Sequence, residues 1–260
     1  MKRAGNVIRA QGVATKLLET YGFERPSEIN LDALIVDRGV EVKRGGLHGC
    51  EARLVRLGNR GIIRIREVDV GSRRSRFTLS HELGHWELHT DTQAFICTSE
   101  KFRDYRADPK EAEANTFASE LLMPTAMVRP IILATEPSVG AARLIAEQFN
   151  VSLTAAAIRI QLETRHECFL VVSKDRRVQW WLTGSDRFGL WMESQQHLSV
   201  DSVAYHLTPD ATDPDQPEVV PSTSWFLHLP APECMEVSED SAKLGNTGFV
   251  LSMLVLADAD

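Results

Sequence analysis

The chain has little cysteine, and none of it is paired in sequence. Cys50, Cys97, Cys168 and Cys234 are scattered along 260 residues with no C-x-x-C pair. That excludes a disulfide framework and a cysteine zinc knuckle, and leaves reduced, mostly buried thiols. Long apolar runs are missing too. None approaches 18 residues, and the opening Met-Lys-Arg-Ala-Gly-Asn-Val leads into no signal-like apolar core. The expectation is no membrane span and a cytoplasmic location. Positive charge is not in excess: 29 Lys and Arg face 36 Asp and Glu, a net charge of −7, which excludes a generic nucleic-acid binder. No internal repeat is visible, so a solenoid is excluded. What is left is an ordinary globular composition, long enough to bury a full core and to hold two units.

The most informative stretch is residues 75 to 89, which contains His81-Glu82-x-x-His85. On a helix, residues four apart share one face, one turn above the other. Two imidazoles so placed can grip one zinc ion, and the Glu after the first reaches a water on the metal. Phe77, His81, Gly84, His85 and Leu88 fall on one arc of the helical wheel, so the histidines point into a semi-apolar interior. Gly84 in mid-helix costs about 1 kcal/mol against Ala, which suggests that the site needs room there.

A zinc site needs a third ligand. His89 lies eight residues beyond His81, roughly 12 Å along a continuous helix, while zinc–nitrogen bonds are about 2 Å. It reads instead as a group behind the ligands, a substrate-facing group or a surface histidine. The better candidate is in Lys110 to Pro124, a helix ended by Pro124. Its apolar arc holds Ala114, Phe117, Ala118, Leu121 and Leu122. Glu111 falls inside that arc, Asn115 sits one turn beyond it, and Glu113 falls outside, near Glu120. A carboxylate on a buried face needs a partner. Glu111 is therefore the expected third ligand and Glu113 a solvated or rim residue. A buried Glu111–Arg pair is the structural alternative.

Arg76-Phe-Thr-Leu-Ser-His-Glu-Leu-Gly-His85, followed by Glu111-x-x-x-Asn115-x-Phe117-Ala118-x-x-Leu121-Leu122-Met123-Pro124, resembles the ImmA/IrrE family of zinc metallo-endopeptidases. Two separated motifs agree in order and spacing, and the similarity extends over roughly residues 10 to 165. The resemblance implies a gluzincin-like site with one Zn2+ per chain, His81, His85 and Glu111 as ligands and Glu82 as general base. It also implies a protein substrate, a helix-turn-helix transcriptional repressor whose cleavage derepresses genes. Tyr105 and His89 are candidates to stabilise the second charged oxygen of the reaction.

The remaining chain gives an α+β fold. Residues 7 to 21 repeat at helical spacing and stop at Gly22, a short helix runs through Leu31 to Val36 after a turn at Pro26-Ser27, and Val40 begins a strand. Gly58-Asn59-Arg60 signals a hairpin between Glu51–Leu57 and Gly61–Arg66. The strand Ile62 to Arg66 is the expected acceptor of an extended substrate. Arg53, Arg56, Arg60, Arg64, Arg66, Arg73, Arg74 and Arg76 make this region basic. They form either a docking surface for an acidic segment or solvated edges that discourage aggregation. Residues 138 to 163 resemble a helix-turn-helix, but the second helix, Leu153 to Gln161, offers only Arg159 to read bases, so direct DNA binding is not expected. From Cys168 onward short strands are expected at Cys168–Ser173, Val178–Leu182, Phe188–Met192, Trp225–Leu229 and Gly248–Leu256. Thr208 to Ser224 reads as a loop, and Trp180, Trp181, Trp191 and Trp225 as core. The expected division is a zincin-like metallopeptidase domain at 1–135, a helix-turn-helix-like segment at 136–166 and a β-rich C-terminal domain at 167–260.

Two rival functions remain open at this point. One is a catalytically silent zinc-binding regulator that displaces a repressor without cutting it, although such a site needs no general base. The other is a DNA-binding protein using residues 138 to 163.

Overall fold

The computed structural model describes residues 6–25, 28–47, 50–66, 72–97, 108–184, 190–227 and 236–256, apart from the side chains of Ile96 and Cys97. The turn at Pro26-Ser27, Tyr105, Phe188 and Cys234 lie outside the described residues. Cys50 and Cys168 are free and buried, and burial pushes the Cys168 thiol up to about 12. No helix among the described residues is long and apolar enough to cross a membrane.

The architecture is mixed α and β, in two units: Met1–Met127 with Gln148–Ser152, and Val128–Glu147 with Leu153–Asp260. In the first unit, helix α1 (Val7–Tyr21) starts at Asn6, whose side chain accepts from the Arg9 N–H, and ends at Gly22. Helix α2 (Leu31–Asp37) is capped by Asn30 in the same way. Such caps contribute about 1 kcal/mol each. Strands β1 (Val40–Arg44), β2 (Ala52–Leu57), β3 (Arg60–Ile65) and β4 (Ala94–Cys97) form a sheet in the order β1-β3-β2-β4. The β2–β3 hairpin turns on Gly58-Asn59, with Leu57 paired to Arg60. Gly58 has φ +60, a conformation that costs a glycine nothing. One sheet face, with Ala52, Leu54, Ile63 and Ile65, is buried.

Helix α3 (Arg73–Leu88) carries the histidine motif. Ser72 caps it by accepting from the Ser75 N–H. Helix α4 (Pro109–Leu122) begins at Asp108, with proline in its first turn, where a missing N–H costs nothing. The two helices pack closely because Gly84 has no side chain. A Cβ there would stand 3.2 Å from both the Cα and the carbonyl oxygen of Ala114, and 3.1 Å from Phe117 Cδ1. The room that Gly84 leaves is filled by the backbone of α4.

Two expectations for this region need correction. Strand β3 pairs in parallel with β1 and antiparallel with β2, so its backbone hydrogen bonds are already taken on both sides and it cannot receive a substrate strand. The arginines also divide by role. Arg66 and Arg74 both hold Glu51, and Arg56 lies over the Trp86 ring, 3.7 Å from its centroid. Arg53 and Arg64 are exposed and stand opposite each other, with Lys43 in the same row.

The second unit takes in helix α5 (Thr125–Leu133) from Val128 onward, α6 (Val139–Gln148) up to Glu147, and α7 (Leu153–Glu163). Arg159 of α7 is buried and lies 3.5 Å from Glu163, so it is not presented to a DNA groove. An antiparallel sheet follows in the order β6-β5-β9-β8-β7, made of β5 (Cys168–Lys174), β6 (Arg177–Thr183), β7 (Glu218–Pro221), β8 (Glu236–Lys243) and β9 (Phe249–Leu256), with the short helix α8 (Val203–His206) against it. Phe169, Val171, Leu190, Trp225, Phe226 and Leu254 share its core. No strand forms at Leu190–Met192 or Trp225–Leu227. Strand β7 falls inside the stretch expected to be loop, and Trp191 is 53% exposed instead of buried. Strand β8 escapes the apolar pattern because two of its buried residues, Glu239 and Ser241, are polar. Buried Glu239 accepts from the Trp225 Nε1–H (2.8 Å), the N–H groups of Val203 (3.0 Å) and Ala204 (2.7 Å), and the Ser241 hydroxyl (2.8 Å).

Candidate metal centre

Close packing of α3 on α4 brings His81, His85 and Glu111 together, all buried. His81 Nε2 and His85 Nε2 are 3.0 Å apart, and Glu111 Oε2 lies 3.2 Å from the first and 3.6 Å from the second. Tetrahedral zinc with bonds of about 2.0–2.1 Å sets neighbouring ligand atoms about 3.3 Å apart. The three separations bracket that value.

The outer nitrogens of both rings are engaged elsewhere. His81 Nδ1 meets Asn115 Oδ1 at 2.9 Å, and His85 Nδ1 meets His89 Nδ1 at 2.9 Å. With the His81 proton on the side of the Asn115 oxygen, its Nε2 lone pair faces inward, toward a second nitrogen and a carboxylate oxygen. Like-signed acceptors this close repel unless a cation lies among them. Burial pushes the His85 imidazole down to about 4, against the pull of Glu111. Burial also raises the Glu111 carboxyl, but its contacts with the two imidazoles outweigh this and hold it below the usual carboxylate range. Two nitrogens and a carboxylate oxygen, all buried, are a donor set that fits a divalent metal ion.

Glu82, on the turn carrying His81, is fully buried. Phe95 of β4 stacks on the His85 ring, with centroids 3.9 Å apart and planes inclined by 19°. Strand β4 thus reaches His85 through Phe95. His89 is not a surface histidine: it is 4% exposed, and its Nε2 lies 3.0 Å from Glu113 Oε2. Glu113 is partly buried, at the rim, and is engaged there: its other oxygen accepts the Asn6 N–H at 2.7 Å. Burial lowers the pKa of His89. Burial tends to raise that of Glu113, but bonds from Asn6 and His89 bring it below its ordinary value.

Sequence reading missed the roles of Asn115, Glu113 and Phe95. A signal existed for Asn115, which is four residues from Glu111 and so one turn along the same face. Glu113 had none, because its partners come from α1 and from the end of α3.

The profile of a peptidase family, M78, described as the IrrE N-terminal-like domain, matches residues 32–161, half of the chain and the whole of the site. The chain belongs to this family. No curated protein is detectably similar to it. Among solved structures, a Mycobacterium tuberculosis transcriptional regulator is similar with a TM-score of 0.56, covering 95% of this chain and 87% of that one at 14% identity. At that identity the likeness is one of fold.

Proposed function

We propose that the chain is a zinc-dependent endopeptidase that cuts a protein partner, with a helix-turn-helix transcriptional repressor as substrate. The observation that carries this reading is the convergence of His81 Nε2, His85 Nε2 and Glu111 Oε2 at separations that suit one zinc ion, with Glu82 on the adjoining turn. Bound zinc supplies Lewis acidity, which brings the pKa of water from 15.7 to about 7 and polarises a peptide carbonyl. Glu82 takes the proton from the attacking water and returns it to the leaving amine. Asn115 and His89 hold the outer nitrogens of the two imidazoles so that their inner nitrogens stay aimed at one point. Strand β4 pairs with β2 alone among the described strands and lies beside His85. It therefore takes over from β3 as the strand along which an extended substrate would be laid.

The family match supports the peptidase class, and the regulatory nature of the substrate rests on the resemblance of the two motifs. The test is Glu82→Gln in cells co-expressing candidate helix-turn-helix regulators. The wild-type chain should yield a truncated regulator, and the variant should keep its zinc and yield none. Derepression that survives Glu82→Gln would defeat the proteolytic reading in favour of a zinc-binding regulator that acts by association.

A further inference from the structure

We propose that His89 and Glu113 are positioning residues that fix, by a one-way line of hydrogen bonds, which nitrogen of His85 faces the metal. The inference rests on reading the His81–His85–Glu111 cluster as a metal centre.

The line can be followed from its outer end. Glu113 Oε1 accepts the Asn6 N–H at 2.7 Å, which pins the carboxylate to the start of α1. Its Oε2 lies 3.0 Å from His89 Nε2. A carboxylate only accepts, so the His89 proton sits on Nε2. A singly protonated His89 then presents a bare Nδ1 lone pair to His85 Nδ1, 2.9 Å away. Two nitrogens at that distance share one proton, and only His85 is left to supply it. With its proton on Nδ1, His85 has its Nε2 lone pair free, and that atom is the one 3.0 Å from His81 Nε2 and 3.6 Å from Glu111 Oε2. Metal-binding histidines are commonly held by a carboxylate or carbonyl directly behind the ring. Here one imidazole is inserted between carboxylate and ligand. The spacing permits it because His89 follows His85 by four residues at the end of the same helix, and Glu113 arrives from α4.

His89→Leu removes the acceptor behind His85. His89→Asn puts an oxygen close to where Nδ1 was. Glu113→Gln turns an NH2 group toward either Asn6 N–H or His89 Nε2–H, and one of those contacts becomes donor against donor. Zinc affinity is read by competition with a chromophoric chelator, alongside thermal unfolding of the metal-free proteins. Loss of an outer hydrogen-bond partner weakens metal binding about 10- to 100-fold. His89→Leu should fall in that range, Glu113→Gln should weaken binding less, and His89→Asn should recover most of the loss. Long-range 1H–15N spectra of the zinc-loaded wild type should show the His85 proton on Nδ1 and the His89 proton on Nε2. Variants that fold and hold zinc within about twofold of wild type overturn the proposal and leave the metal centre standing. So does a His89→Asn variant no better than His89→Leu. If His89→Leu does not fold, the wild-type spectra decide, and a proton on His85 Nε2 or His89 Nδ1 overturns the line. A wild-type chain that takes up no zinc overturns both readings.

Discussion

Gly84 and Ala114 touch backbone to backbone: a methyl group on Gly84 would lie 3.2 Å from the Ala114 carbonyl oxygen. This contact sets how near Glu111 comes to the histidine pair. Gly84→Ala gains about 1 kcal/mol of helix propensity, but overpacking of this kind costs about 1–3 kcal/mol. The obstruction is the Phe117 ring and, behind it, the main chain of Ala114, so α4 must shift by a few tenths of an ångström. We expect a net loss of about 1 kcal/mol in chemical denaturation and weaker zinc binding. A rise in stability with unchanged zinc affinity would show that the interhelical gap opens freely.

Glu111→Ala removes one of three donors and should leave the purified protein without zinc. Glu113→Ala removes only a distant support and should keep zinc through purification, at an affinity lowered about tenfold. Metal analysis after gel filtration separates the two. The reverse order would mean that the wrong carboxylate of α4 has been placed at the metal.

Asn115 Oδ1 stands behind His81 as His89 Nδ1 stands behind His85, 2.9 Å from the ring Nδ1 in each case. Asn115→Leu keeps the volume and loses the acceptor, so zinc affinity should drop about 10- to 100-fold, while Asn115→Asp should bind close to wild type. Chelator competition reads both. Equal affinity in all three proteins would show that packing alone orients the His81 ring.

These side chains also mark the limit of what the sequence disclosed. Helices α1, α3 and α4 were legible because their apolar residues recur at helical spacing, with stops at Gly22 for α1 and Pro124 for α4. The convergence of the two histidines and Glu111 was legible because each falls on a buried helix face. The place of His89 stayed open and the contacts of Glu113 went unread because a wheel describes one helix at a time. Their partners lie on other elements: Glu113 accepts from Asn6 at the start of α1 and meets His89 at the end of α3, and no periodicity connects these positions. In the second unit, β8 was overlooked because Glu239 and Ser241 point inward. Polar residues in the core break the alternation by which strands are read.

Glu239 should make stability depend on pH. Burial raises its carboxyl above the ordinary 4.5, while bonds from Trp225, Ser241, Ala204 and Val203 pull it back only in part. The folded chain therefore keeps this proton at pH values where the unfolded chain has released it. The resulting stability is complete below the unfolded value and is lost as pH rises through the folded one. Glutamine cannot ionise. The difference in unfolding free energy between wild type and Glu239→Gln, from urea titrations between about pH 4 and pH 8, should shrink as pH rises. A difference independent of pH would mean that Glu239 titrates alike in both states.

Arg53 and Arg64 face each other across β2 and β3 on the exposed side of the sheet, with Lys43 beside Arg64 on β1. Like charges directly opposite are destabilising, and opposite charges contribute about 0.2–1 kcal/mol. Arg53→Glu should raise the denaturation midpoint by an amount of that order at low salt, with the gain fading at high salt. No change at either ionic strength would mean that the guanidinium groups already splay apart into water.

The second sheet is bordered on one side by a strand of only four residues that ends in Pro221. A fringe so brief, finished by a residue with no amide hydrogen to lend, gives a neighbouring molecule little to zip onto. Behind it runs β8, twice as long. A protein clipped or mutated so that Glu218–Pro221 detached would bare that longer border, and its first symptom would be loss of solubility, arriving before any loss of zinc.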